Sequence, residues 1–422
     1  MMTERQQQTR FLTHAGALLL EYNESSAEIV RALTSAAKAF GEPQCVVAVR
    51  YLEIAVSLAD EPPILRTVKE IRLNAAVRAR IHDVLQQAER GGLDLTSAVN
   101  LLDRARDEAP RYPRALVAVM FGAAGASFAR LLGADRGAIM VAALSTVAGL
   151  LARQELARRH FAVLTLPLTA AFLGTVIGGI AIRMGWTQSP DLLVLVPALM
   201  LVPGPHILNG LFDLVDHYLA MSIARLGHAL WVLIASALGI VLAARVVLPL
   251  GELPSRSFDR PGLSLFSDMI LAGVATCGFA AFFNVPWREL GLASIGGMAG
   301  HGVRYLALDS EFPLETASFL GGLTVGLISA AITASNRASI VAIAFAGTVT
   351  MIPGLSFYRA LGGALRLARQ GENATEPLTA ATLGHACQAL VVVSGLAMGV
   401  ILGIRLVLRV SKSVQRRSDP AS

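Results

Sequence analysis

From Arg114 onward the chain is a succession of apolar stretches, and their length leaves few folds open. A hydrocarbon core of ~30 Å takes about 20 mostly apolar residues of α-helix. Such stretches lie near residues 115–133, 137–153, 161–182, 190–203 and 222–248, then near 264–284, 288–307, 314–333, 337–353 and 379–408. The pattern predicts a mainly α, polytopic membrane protein with about ten transmembrane helices.

Charge is distributed to match. Residues 1–114 carry 15 acidic and 15 basic side chains, whereas residues 115–410 carry about 32 charged groups over nearly three times the length. A soluble, charge-balanced head therefore precedes a membrane body. The net charge of +6 does not point to nucleic acid, because part of the excess sits in Arg405, Arg409, Lys412, Arg416 and Arg417 at the end of the last apolar run and beyond it. Basic flanks of this kind mark the cytoplasmic side of a membrane. The opening residues lack the apolar core of a secretory signal, so no cleavage is expected. Cys45, Cys277 and Cys387 are too few and too scattered to predict a disulfide frame or a metal site. The expected division is 1–114, 115–250, 264–410 and a basic tail, 411–422.

The head reads as a small α/β domain. Phe11, Leu12, Ala15, Leu18 and Leu19 recur at helical spacing. Ser25-Ser26-Ala27-Glu28 has the pattern of a capping box opening a second helix, which Gly41 should stop. Residues Cys45 to Ser57 suggest one or two strands. A helical pattern spans Ile64 to Arg90, and a shorter helix runs from about Leu95 to Asp107. His14 and His82 stand alone in sequence, Glu21 and Glu24 are expected to face water, and Tyr22 and Tyr51 to serve packing.

Within the body, Leu201-Val202-Pro203-Gly204 and Met351-Ile352-Pro353-Gly354 each end an apolar run with a helix breaker. Proline removes a backbone donor and glycine relaxes the φ restriction. At membrane depth such breaks persist only where freed backbone groups meet protein or a wet cavity. Paired breaks in corresponding halves point to a transporter's substrate site. Gly174 and Gly178 find counterparts in Gly322 and Gly326, and Gly137 in Gly291. The order of these matches predicts a duplication. With five spans per half, the second half enters the membrane inverted. Arg104, Arg106, Arg111 and Arg114 before the first span, and Arg153, Arg158 and Arg159 after the second, favour cytoplasmic ends. The acidic Asp309 and Glu311 fall outside; Arg359, Arg366 and Arg369 fit that scheme less well.

Each break leads into a helix with a polar stripe. His206, Asn209, Asp213, Asp216 and His217 share one face, and Ser356, Arg359, Gly363 and Arg366 share another. A carboxylate at the centre of a membrane helix costs about 2.5–3.5 kcal/mol on insertion scales, and a broken helix offers roughly half a positive charge at its N-terminus. The hypothesis is a shared cavity in which Pro203, Gly204, Asn209, Asp213, Pro353, Gly354, Ser356 and Arg359 bind a zwitterion. Asp213, Asp216 and His217 would carry protons. The competing reading lays both stripes along the membrane surface. His301 and Arg304 could pair with acidic neighbours, and Arg225 with Asp213 or Asp216. Asn284 and Asn336 mark span ends. No His-Glu-x-x-His or Gly-x-Ser-x-Gly motif occurs, so no catalytic residue, metal or cofactor is expected.

The chain resembles the threonine/serine exporter family over nearly its whole length. The resemblance rests on Ala15-Gly16-Ala17-Leu18-Leu19-Leu20, Ala39-Phe40-Gly41 and Gly91-Gly92-Leu93-Asp94-Leu95 in the head. It continues through Leu201-Val202-Pro203-Gly204, Asn209, Asp213-Leu214 and Arg225-Leu226, then Ile352-Pro353-Gly354 and Arg359-Ala360-Leu361. It implies a bacterial inner-membrane exporter of threonine and serine driven by protons, working in the lipid bilayer with both ends cytoplasmic. Export of small organic acids such as succinate is the nearest alternative, and a sensor without transport the next. A homo-oligomer stays open.

Overall fold

The computed structural model describes residues 3–59, 61–247, 262–336 and 340–418. Contacts divide the chain into two compact units. The first holds Met1–Tyr112 with Pro205–His228 and Phe283–Pro286; the second holds Pro113–Gly204, Ala229–Phe282 and Trp287–Ser422.

The first unit is organised by α1 (Glu4–Glu21), whose Phe11, Leu12, Ala15, Leu19 and Leu20 are fully buried. Strands β1 (Cys45–Arg50), β2 (Glu53–Leu58) and β3 (Ile64–Thr67) form an antiparallel sheet with β2 in the centre. Ile54, Val56 and Leu58 alternate inward from β2, as the two-residue period of a strand requires. A Cβ at Gly16 would lie 2.5 Å from Ile54 Cδ1 and 2.7 Å from a Leu33 methyl, so glycine there lets the ends of both side chains rest against α1. That neighbour, α2 (Ser26–Ala39), ends in a Schellman turn at Gly41 (φ +81°), where Glu42 N–H reaches the Ala37 carbonyl.

The helix expected over Ile64–Arg90 is instead a strand followed by α3 (Ala75–Glu89). Ile64 to Thr67 pair with the open edge of β2, and Asn74 caps the helix. Helix α4 (Leu95–Glu108) opens at Asp94. Residues Phe283 and Asn284 give their carbonyls to the first amides of α3, and the Asn284 amide donates to Asn74 and to the Pro110 carbonyl.

Among the described residues, each of the ten apolar stretches holds a helix, and two more helices follow the proline–glycine breaks. In order they are α5 (Arg114–Leu131), α6 (Arg136–Arg158), α7 (Thr165–Arg183), α8 (Pro190–Leu199), α9 (Gly204–Val215) and α10 (Leu219–Val247). Then come α11 (Leu265–Phe282), α12 (Trp287–Asp309), α13 (Leu314–Asn336), α14 (Ile340–Thr348), α15 (Gly354–Gln370) and α16 (Glu376–Ser418). Among the described residues seven are long and apolar enough to cross a membrane: α5, α6, α7, α10, α11, α13 and α16. The bent pair α8–α9 makes an eighth if it is one broken span. Large apolar side chains such as Val119, Met140, Trp231, Phe266, Leu390 and Met398 are exposed on these helices, as lipid-facing surfaces should be.

Helix contacts recur along the second unit. A Cβ on Gly122 would meet Val147, and one on Gly273 would meet Met298, each partner 151 residues further on. Gly125 packs against Thr146, and at the same spacing the roles reverse, with Thr276 against Gly297. Gly149 faces the Ala170 carbonyl; Gly300 faces the Gly321 carbonyl. The glycine motifs read from sequence as equivalent do different work. Gly174 and Gly178 seat α7 on Pro197 and Leu193 of α8, whereas Gly322 and Gly326 seat α13 on Leu396 and Val400 of α16. Likewise Gly137 touches the Trp186 carbonyl while Gly291 faces open space.

Candidate functional site

The two proline–glycine breaks are the same turn. In both, the glycine amide donates to the carbonyl just before the proline, Gly204 to Val202 and Gly354 to Ile352, each at 2.8 Å. One step earlier, Val202 bonds the Leu199 carbonyl and Ile352 the Val349 carbonyl, each at 3.3 Å. Pro353, at φ −77° and ψ 54°, has the backbone of an inverse γ-turn.

These turns pack on each other reciprocally. A Cβ on Gly204 would lie 2.8 Å from Ile352, and one on Gly354 would lie 3.1 Å from Val202 and 2.9 Å from Leu199. Each glycine thus faces the residue preceding the other break, as a two-fold arrangement requires. Tyr358 on α15, buried, donates to the Ala198 carbonyl at the end of α8 (3.0 Å), which also accepts from the Leu201 amide (2.9 Å). The buried Thr350 hydroxyl has no hydrogen-bond partner among the described residues. Ser356 donates to Gln388 on α16 (3.0 Å). Arg359 is half-buried, and the buried Asp191 in the first turn of α8 supplies an opposite charge. Arg366 and Arg369 are exposed.

The stripe on α9 meets different company, within the first unit. Asn209 donates through Nδ2 to the Asn23 carbonyl (2.7 Å). Asp213, fully buried, accepts from the Ser26 amide (2.9 Å) and pairs with the equally buried Arg225 (3.3 Å). The Ser26 amide belongs to the first turn of α2, so the carboxylate closes the positive end of that helix. Arg225 in turn donates to the Glu24 carbonyl. His206 lies beside His228, with ring centres 4.6 Å apart and planes tilted by 52°. Asp216 is half-buried, and His217 is exposed at positive φ in the turn before α10.

Behind this loop lies a polar core that residue-by-residue reading missed. Glu24, expected to face water, is buried against Arg78 (3.4 Å) and His82 (3.2 Å). Burial opposes its charge, but Arg78 and His82 prevail and hold the carboxyl at about 2. Burial likewise disfavours the His82 cation, and Glu24 raises it above the ordinary histidine range. His14 is not isolated either: it meets Asp103 (2.7 Å) and Arg66. Burial, then Arg66, keep it below that range despite Asp103.

Long apolar helices with lipid-type surfaces and a matched pair of helix breaks define a multi-pass membrane protein of the transporter class. A threonine/serine exporter model matches residues 10–247, and a second threonine/serine exporter model matches residues 268–405. The chain belongs to the threonine/serine exporter family, a family of membrane exporters rather than enzymes. No solved structure matches it.

Proposed function

We propose that this protein exports threonine and serine across the bacterial inner membrane in exchange for protons, with its amino-terminal domain and carboxyl end in the cytoplasm. The observation that carries the reading is the reciprocal packing of the Pro203-Gly204 and Pro353-Gly354 turns. Helices α5–α10 and α11–α16 act as two halves of opposite orientation, a plan suited to alternating access. The contacts recurring 151 residues apart support that duplication.

The substrate sits at the crossing of the breaks. Arg359 and the N-terminus of α15 at Gly354 take the carboxylate, Asp191 the ammonium group, and Thr350 with Ser356 the side-chain hydroxyl. Asn209 and Asp213 we assign to holding the loop between α1 and α2, because their polar groups face Asn23, Ser26 and Arg225. His217, exposed in the turn before α10, takes no part in coupling, which we leave to buried groups.

The test uses the full-length protein in liposomes with labelled threonine, serine and succinate. Threonine and serine should move, with protons crossing in the opposite direction. Gly354→Val should abolish flux, because a branched side chain there has no room beside Leu199 and Val202. Succinate movement without threonine would favour the organic-acid reading, and binding without flux a sensor.

A further inference from the structure

We propose that Asp268 and His301, with Arg304 beside them, form the proton-carrying site of this exporter. The proposal rests on the antiport reading above and assigns the ion to residues that the substrate does not touch.

Asp268 stands in the first turn of α11 and His301 beyond the middle of α12, and each is only 8 % exposed. Asp268 Oδ2 and His301 Nδ1 are in direct contact. Arg304 follows His301 by three residues and so shares its helix face. Its charge acts on Asp268, while its Nε is buried with no hydrogen-bond partner among the described residues. The carboxylate and the guanidinium balance each other. We therefore give the proton to the imidazole, the one member of the cluster with a nitrogen that can both accept and donate it. With Nδ1 turned to the carboxylate, Nε2 takes a proton from water on one side and releases it to water on the other. Loading adds one net charge to a buried site, which is costly unless the surroundings rearrange.

A comparison within the chain argues that packing alone does not demand this pair. At the 151-residue spacing set by Gly125–Thr146 and Thr276–Gly297, Asp268 corresponds to Val117 and His301 to Leu150, both buried. The first half fills the same places with aliphatic side chains. Arg304 corresponds to Arg153, which lies over the Phe282 ring at 5.3 Å. Only the second half turns this position into an ionisable cluster.

The cluster also touches the second break. Gly300, next to His301, would bring a Cβ within 3.2 Å of Met351 Cε. Gly321 would bring one within 2.8 Å of Met351 Sδ and 3.3 Å of Arg304 Cβ. Met351 immediately precedes Ile352-Pro353-Gly354, so a shift of α12 on loading presses on the turn that lines the substrate site. The other charged or titratable groups on the packed elements are Cys277 on α11, and Arg288, Glu289, Tyr305 and Asp309 on α12. Arg114 and Arg130 end α5, and Glu315 lies in the first turn of α13. Helix α14 and the turn Val349–Met351 carry none.

The experiment compares two modes of threonine movement in liposomes holding the full-length protein. Counterflow exchanges labelled for unlabelled threonine and needs no net proton movement. Accumulation driven by an imposed gradient of about one pH unit should reach about tenfold for one proton per substrate. The variants are H301Q and the double D268V/H301L, which installs the residues of the first half. Counterflow should persist near wild-type rates in both, while gradient-driven accumulation collapses to about unity and wild-type pH dependence flattens. Undiminished accumulation in either variant overturns the proposal, and so does loss of counterflow in both. Wild-type protein that supports counterflow but accumulates no threonine in response to the pH gradient overturns it together with antiport. Wild-type protein that moves no threonine in either mode refutes the exporter reading itself.

Discussion

Replacing Glu24 with glutamine removes the charge of a carboxylate that is 1 % exposed and faces Arg78 and His82. Folding holds this carboxyl at about 2 against an ordinary 4.5, with burial overcome by Arg78 and His82. At ~1.4 kcal/mol per pH unit, that difference stabilises the folded unit by ~3 kcal/mol. An independent route gives a similar figure, since breaking a buried ion pair from one side costs about 3–5 kcal/mol. The sign follows from the depressed value. The contribution is complete above about 4.5 and disappears as pH falls toward about 2. The assay is hydrogen exchange of α2 and α3 amides in the full-length protein in nanodiscs at pH 7, with thermal unfolding of the same samples. Glu24→Gln should lower the melting temperature of the unit by roughly 10–20 °C. Glu21→Gln, half-buried with Arg72 and Arg106 at 3.7 and 3.9 Å, should cost less than about 1 kcal/mol. A loss for Glu24→Gln no larger than that of the control would refute the reasoning.

Two further substitutions probe the framework. Gly297→Ala would place a methyl 2.1 Å from Thr276 Oγ1 and should destabilise by ~1–3 kcal/mol, whereas T276G/G297T, which installs the first-half arrangement, should recover most of it. Monodispersity and melting temperature after purification report both. Asp213→Asn leaves buried Arg225 without its counter-charge and should speed exchange at the first amides of α2; adding Arg225→Met should restore part of the protection. Unchanged exchange from Ser26 to Ile29 would tell against the carboxylate as the cap of that helix.

Local chemistry was legible in the sequence, and long-range partnership was not. Proline and glycine act where they stand, so both breaks fall at the residues that named them, Pro203-Gly204 and Pro353-Gly354. Gly41 stops α2 for the same reason. Apolar length located the long body helices, while α9 and α15 were marked by their polar stripes. Among the described residues, seven or eight of the ten expected spans are long and apolar enough to cross a membrane. Strand β3 escaped notice because Ile64 to Thr67 are extended by pairing with β2, a cause invisible in their own periodicity. Glu24 looked solvent-facing because its bases lie far along the chain on α3. Asn209 and Asp213 stood out as polar groups on an apolar helix, but the residues that meet them, Asn23 and Ser26, come 186 and 187 positions earlier. Asp268 drew no attention for a similar reason, since only the packing of α11 on α12 reveals His301 as its neighbour.

The loop that joins α1 to α2 is also half of the scaffolding for α9. A chain cut after Tyr112 would strip Asp213 of the Ser26 amide, Asn209 of the Asn23 carbonyl and Arg225 of the Glu24 carbonyl. Silence from such a headless protein would reflect orphaned charges on its remaining helices. It would therefore not reveal what the amino-terminal domain does for export; single substitutions on that domain's far face are the cleaner instrument.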